Sequence, residues 1–141
     1  MRKLVILLAA VALFGAGCGD SKKSDTSTTA TTTAAASVLP SGVAGHGTEK
    51  AKDGLEVELD NFYFGPNVIE ATPGQVFKID LANDGTAPHT FTIDSLGVDV
   101  TVAPDAKAEV SVTAPATAGN IEFYCKFHKT SQNMRGVLLV A

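Results

Sequence analysis

The residues of this chain best able to do chemistry sit in its last quarter. Cys125-Lys126-Phe127-His128 runs on to Met134, so a thiol, an imidazole and a thioether fall within ten residues. A second imidazole, in Pro88-His89-Thr90-Phe91, lies some thirty-five residues upstream. Two His, one Cys and one Met form the donor set of a copper centre suited to single-electron transfer. The thiolate and imidazoles are the strong ligands, and the thioether is a long, weak axial one. Each donor is common alone; the four together in this order are not.

The elements that must position them read as short strands. Leu55-Glu56-Val57-Glu58-Leu59 alternates with period two, as a half-buried strand should. Further runs are expected at 67–71, 76–81, 90–93, 98–102, 109–112, 121–124 and 137–140. Pro73-Gly74, Asn83-Asp84-Gly85, Ala103-Pro104-Asp105 and Gly119-Asn120 punctuate them. No window of a dozen residues shows helical periodicity. About eight such strands predict an all-β, antiparallel β-sandwich over residues 54–141. His89 then precedes a strand, Cys125 ends one, and His128 and Met134 occupy the connection that follows. All four meet at one end of the sandwich.

The N-terminal third reads differently. Arg2 and Lys3 precede an apolar run, Leu4 to Phe14, of about eleven residues. That is short of the roughly 20 needed to span a bilayer but suits a signal peptide, assigned to residues 1–17. Gly15-Ala16-Gly17 directly before Cys18 resembles a bacterial lipoprotein signal. That resemblance implies a lipid on Cys18, anchoring the protein on the extracytoplasmic side of the cell membrane. Simple secretion with a free Cys18 is the alternative. Residues 18–53 are rich in Ser, Thr and Ala and are expected to form a disordered tether, of which residue 18 is the anchor. Its reach would be roughly 30–35 Å. His46, in this tether, has no companion ligand and is read as solvated.

Two cysteines in an exported chain would ordinarily suggest a disulfide. Cys18 belongs to the processing junction, however, and Cys125 has metal ligation as its occupation. From residue 51 onward six Lys/Arg face twelve Asp/Glu, which excludes a basic nucleic-acid footprint. A binuclear copper-thiolate site needs a second Cys beside Cys125, and a multicopper oxidase needs His-x-His pairs; neither is present. A structural zinc site would have more thiolates or a closed set without Met.

The domain resembles the plastocyanin-like branch of the cupredoxins. The resemblance rests on Asn83 and Pro88-His89, on Tyr124-Cys125-x2-His128, and on Met134-Arg135-Gly136 entering the last strand. Phe64-Gly65-Pro66 and Pro73-Gly74 match as well. It implies a Greek-key sandwich with one Cu(I)/Cu(II) ion held by His89, Cys125, His128 and Met134. Asn83 would tie the ligand loops together near the sulfur. Five residues separate His128 from Met134, where that family usually has four or fewer, so Gln132 stays open as the axial ligand. His128 would be the electron port, in an apolar rim drawn from Phe64, Pro66, Pro88, Phe127 and Met134. Lys126, Lys129 and Arg135 near the port would either steer an acidic partner or simply be solvated.

The function expected is a membrane-tethered, monomeric electron shuttle making transient contacts with a donor and an acceptor redox protein. No catalytic reaction is implied. The alternative is a copper-delivery protein using the same ligands without redox cycling.

Overall fold

The computed structural model describes residues 38–141. The expected signal peptide, Cys18 and the tether up to residue 37 lie outside the described residues. Ten strands run in the order β1 (Thr48–Lys50), β2 (Leu55–Asp60), β3 (Tyr63–Gly65), β4 (Val68–Ala71), β5 (Val76–Asn83), β6 (His89–Ile93), β7 (Val98–Val102), β8 (Lys107–Thr113), β9 (Gly119–Tyr124) and β10 (Arg135–Val140). A single 3-10 turn, Asp94–Leu96, joins β6 to β7. One sheet has the order β1-β4-β10-β9-β6-β7, the other β3-β2-β5-β8.

Side-chain period explains most of this. In β2, Leu55, Val57 and Leu59 are buried while Glu56 and Glu58 face water. β5 buries Phe77, Ile79 and Leu81, then stays buried through Ala82 and Asn83 as it reaches the site. β6 is buried at every position because strands flank it on both sides and the opposite sheet covers one face. Between the sheets Phe64, Phe91 and Phe123 pack together, with Phe64 edge-on to both partners at 5.9 and 5.2 Å between centroids. Each such pair is worth about 0.5–1.5 kcal/mol beyond the area it buries.

The all-β sandwich is as expected, with three differences. The sheets are mixed, since β2 pairs with β5, β10 with β4 and β1 with β4 in parallel. These strands are not joined by hairpins, so no tight turn dictates their direction. Two strands, β1 and β3, have three residues each, too few to show a period.

The third difference corrects the domain boundary. Residues 44–50, assigned to a disordered tether, belong to the folded unit. Val68 N–H donates to Gly47 O and Ala51 N–H to Glu70 O, bracketing β1 on β4. Ahead of β1, buried Asn67 accepts His46 N–H at 2.8 Å and donates to Ala44 O at 2.7 Å. The His46 ring, though exposed, stacks on Tyr63 at 4.2 Å between centroids.

The parallel pairing of β2 with β5 sets Leu59 beside Asn83. This brings the β2–β3 turn, the end of β5, the start of β6, the end of β9 and the start of β10 to one pole of the sandwich.

Candidate metal centre

Cys125 directly follows β9, and its carbonyl accepts the N–H groups of His128 (3.2 Å) and Lys129 (2.8 Å). This tight turn puts residues three apart on one side, so His128 Nδ1 lies 3.3 Å from Cys125 Sγ. The far end of the loop folds back on its start. Met134 N–H donates to His128 O at 3.3 Å, and Cys125 N–H donates to Met134 O at 3.1 Å. Asn133 makes the reversal possible by adopting φ 59, the left-handed region that Asn tolerates better than most residues. Five intervening residues thus close a compact turn.

His89 opens β6 with its Nδ1 3.8 Å from the same sulfur. One donor atom from each of His89, Cys125 and His128 lies within 4.8 Å of the others. His89, Cys125 and Met134 are 0% exposed, and His128 is half-buried. Gln132, the alternative axial donor, is exposed, though its N–H donates to His128 O. Burial pushes the His89 imidazole below its ordinary pKa, with nearby His128 adding to the effect; burial alone lowers His128. Both rings are therefore neutral at neutral pH, the form in which imidazole binds a metal.

Hydrogen bonds tie the ligand segments together, while His89 Nε2 is buried without a partner. Asn83 donates from Nδ2 to Ala87 O and Val102 O, both at 2.9 Å, and its Oδ1 accepts Gly85 N–H at 2.9 Å. It thus ties the loop before His89 to the end of β7. The donor to the sulfur is a different residue: Thr90 N–H points at Cys125 Sγ at 3.3 Å. The Thr90 hydroxyl in turn accepts Lys126 N–H at 2.8 Å, joining the two ligand segments. Thr90 was missed in the sequence, where its place directly after His89 was the available signal. Phe62 was missed too. It is half-buried in the β2–β3 turn, with its ring 4.5 Å from that of His128 and 6.0 Å from that of His89.

Two expectations about the surroundings need correcting. Of the proposed rim, Phe127 is 55% exposed and Pro88 exposed, but Phe64 is core and Met134 fully buried. Pro66 lines a groove with His46, Gly47 and Glu58. The three nearby cations are each paired. Lys126 bonds Asp99, and Lys129 (2.7 Å) and Arg135 (3.4 Å) both reach Glu122. Two carboxylates against three cations reduce the positive charge there without cancelling it.

A family model described as "Cupredoxin-like domain" matches residues 5–140, and the chain belongs to that family. A buried cysteine sulfur, two neutral imidazoles and an adjacent buried thioether fit copper, the cofactor of this centre. Among curated proteins none matches the sequence. Solved structures share the fold at low identity. The metal-binding domain of the Cu(I)-exporting P-type ATPase of Streptococcus pneumoniae D39, solved with Cu(I), is 15% identical at a TM-score of 0.55, covering 70% of this chain and 99% of that one. Dithionite-reduced auracyanin from the photosynthetic bacterium Roseiflexus castenholzii is 18% identical at 0.52, covering 64% and 98%. A chain of a heme-copper terminal oxidase dimer is 18% identical at 0.52; the match covers 61% of this chain and 63% of that one.

Proposed function

We propose that this protein is a single-copper electron carrier of the extracytoplasmic space, held near a membrane by a lipid on Cys18. His89 Nδ1, Cys125 Sγ and His128 Nδ1 are the strong ligands, and Met134 is the axial one. The carrying observation is the convergence of these three donor atoms, already within 4.8 Å of one another, in a pocket built from strand ends. Copper held there supplies a one-electron couple.

The chain's own contribution is to hold the donors still, so that little rearrangement accompanies each oxidation-state change. Asn83 fixes the His89 loop, Thr90 joins the two ligand segments, and the Met134–Cys125 backbone bonds close the second loop. Burial of Met134 and exposure of Gln132 favour the thioether over the amide as axial ligand. Half-buried His128, beside exposed Phe127, is the edge at which an electron enters or leaves. A donor and an acceptor redox protein would each meet this small surface briefly, as weak redox encounters do.

The test is the visible absorption spectrum of the purified protein after addition of Cu(II). An intense blue band, bleached by mild reductant, restored by oxidant and absent from Cys125→Ser, is the expected result. A colourless protein that binds Cu(I) tightly would favour copper delivery instead. Failure to bind either ion would overturn the metal assignment.

A further inference from the structure

Behind the sulfur runs a closed hydrogen-bond circuit that reaches the surface. Its members are Thr90 and Thr92 on β6, Asp99 on β7, and Lys126 directly after Cys125. The Thr90 and Thr92 hydroxyls lie 3.1 Å apart, and Thr92 Oγ1 lies 3.2 Å from Asp99 Oδ1. Lys126 Nζ bonds the other carboxylate oxygen, and Lys126 N–H donates to Thr90 Oγ1.

The direction of every bond follows from one fact. An ionised carboxylate only accepts, so Thr92 must give its single hydroxyl proton to Asp99. The Thr92 oxygen is then free to accept the Thr90 hydroxyl proton, and the Thr90 oxygen accepts the amide of Lys126. The chain runs from the Lys126 amide through two buried hydroxyls to a carboxylate, which the ammonium of the same Lys126 closes. Both threonines are 1% exposed, while the Asp99 and Lys126 side chains are about half exposed. The circuit clamps residue 126 to β6 at the point where Thr90 N–H meets Cys125 Sγ.

We propose that Thr92 and Asp99 are positioning residues for the sulfur ligand, holding the Thr90 N–H bond to Cys125 Sγ and through it raising the reduction potential of the centre. The proposal rests on Cys125 being the copper thiolate. An N–H bond to that sulfur withdraws electron density and favours the reduced state, and hydrogen bonding around a ligand sulfur is an established tuning lever. Breaking the circuit anywhere should loosen the bond and lower the potential. The sign is diagnostic. Asp99→Ala acting only through its charge would raise the potential, because losing a negative charge favours the more negative reduced centre.

The experiment uses the copper-loaded full chain and reads two quantities, the reduction potential and the position of the thiolate-to-copper band. Thr92→Val and Asp99→Ala should both lower the potential and move the band to longer wavelength. Thr92→Ser should restore both, and the double variant should go no further than either single one. Asp99 is exposed, so Asp99→Ala remains a test even if Thr92→Val fails to fold. An upward shift in Asp99→Ala, or wild-type values in both variants on a normal blue band, would overturn the proposal alone. Absence of the blue band from the wild type would overturn it together with the copper assignment.

Discussion

The ring of Phe62 lies over that of His128, 4.5 Å between centroids and tilted by 47°. Phe62 comes from the β2–β3 turn and His128 from the loop after β9, so the contact joins the two sheets across the pole that holds the donors. It shields one face of the more accessible of the two ligand imidazoles from water, and burial is what lowers the His128 pKa. Replacing Phe62 with Ala should hydrate that face and let the pKa rise toward its ordinary value. Titration of the His128 ring signals by NMR in the metal-free protein checks this. An unchanged titration would mean that the Phe62 ring does not set the burial.

The same shifts make metal-free stability depend on pH. His89 and His128 both have folded-state values below their unfolded value of about 6.5. The unfolded chain therefore binds more protons across the window beneath it, and stability falls as the pH drops through that window. Denaturant unfolding of the metal-free protein at pH 7.5 and 5.5 should show the midpoint falling. The fall should shrink in the double variant His89→Gln/His128→Gln. An equal fall in that variant would assign the pH dependence to other groups.

How much of this was readable in advance depended on whether the signal was local. Cys125 and His128 stand three apart, and a turn of that spacing is enough to put both donors on one side. His89 was legible as an imidazole at the start of a strand, where strand ends can bring it to the other donors. The strands with alternating Leu55, Val57 and Leu59 or Phe77, Ile79 and Leu81 carried their own faces. Phe62 gave no such signal, since its contact with His128 is made by the sandwich closing and not by a spacing. β1 was invisible for a related reason: Thr48-Glu49-Lys50 pairs through its backbone, which a polar tripeptide does not advertise. The cations near the port were plain to see, but Asp99 and Glu122, which pair with them, come from strands β7 and β9.

Gly136 explains physically the glycine of the Met134-Arg135-Gly136 run. A Cβ there would stand 2.2 Å from Phe123 Cζ and 2.6 Å from Asn67 O, which lie in the aromatic core and in the backbone before β4. Neither can retreat, because Phe123 packs on Phe64 and Phe91, and Asn67 O accepts Val137 N–H at 2.9 Å. Gly136→Ala should therefore destabilise by at least the 1–3 kcal/mol typical of overpacking, measured by denaturant unfolding. Gly119→Ala is the matched control. A Cβ at that position meets nothing within 4 Å, so its effect should stay within about 0.5 kcal/mol. Equal effects at the two glycines would refute the packing argument.

The segment ahead of β2 supplies the last prediction. Asn67 is 1% exposed, and its side chain is satisfied by the backbone of Ala44 and His46. Deleting everything before residue 51 would strip both partners, remove β1 from the edge of β4 and unstack His46 from Tyr63. A buried amide left without partners costs about 1–3 kcal/mol. A chain beginning at residue 51 should thus be less stable than one beginning at residue 38 by at least that much. Asn67→Ala in the longer chain should reproduce part of the loss, because it frees the segment while leaving β1 in place. The segment also reaches the ligand loop, since a Cβ on Gly42 would lie 3.2 Å from Asn133 Nδ2. The shorter chain should therefore also bind copper less tightly, measured by competition against a chelator. If both chains unfold at the same denaturant concentration, residues 38–50 are a tether after all, and the folded unit begins at β2.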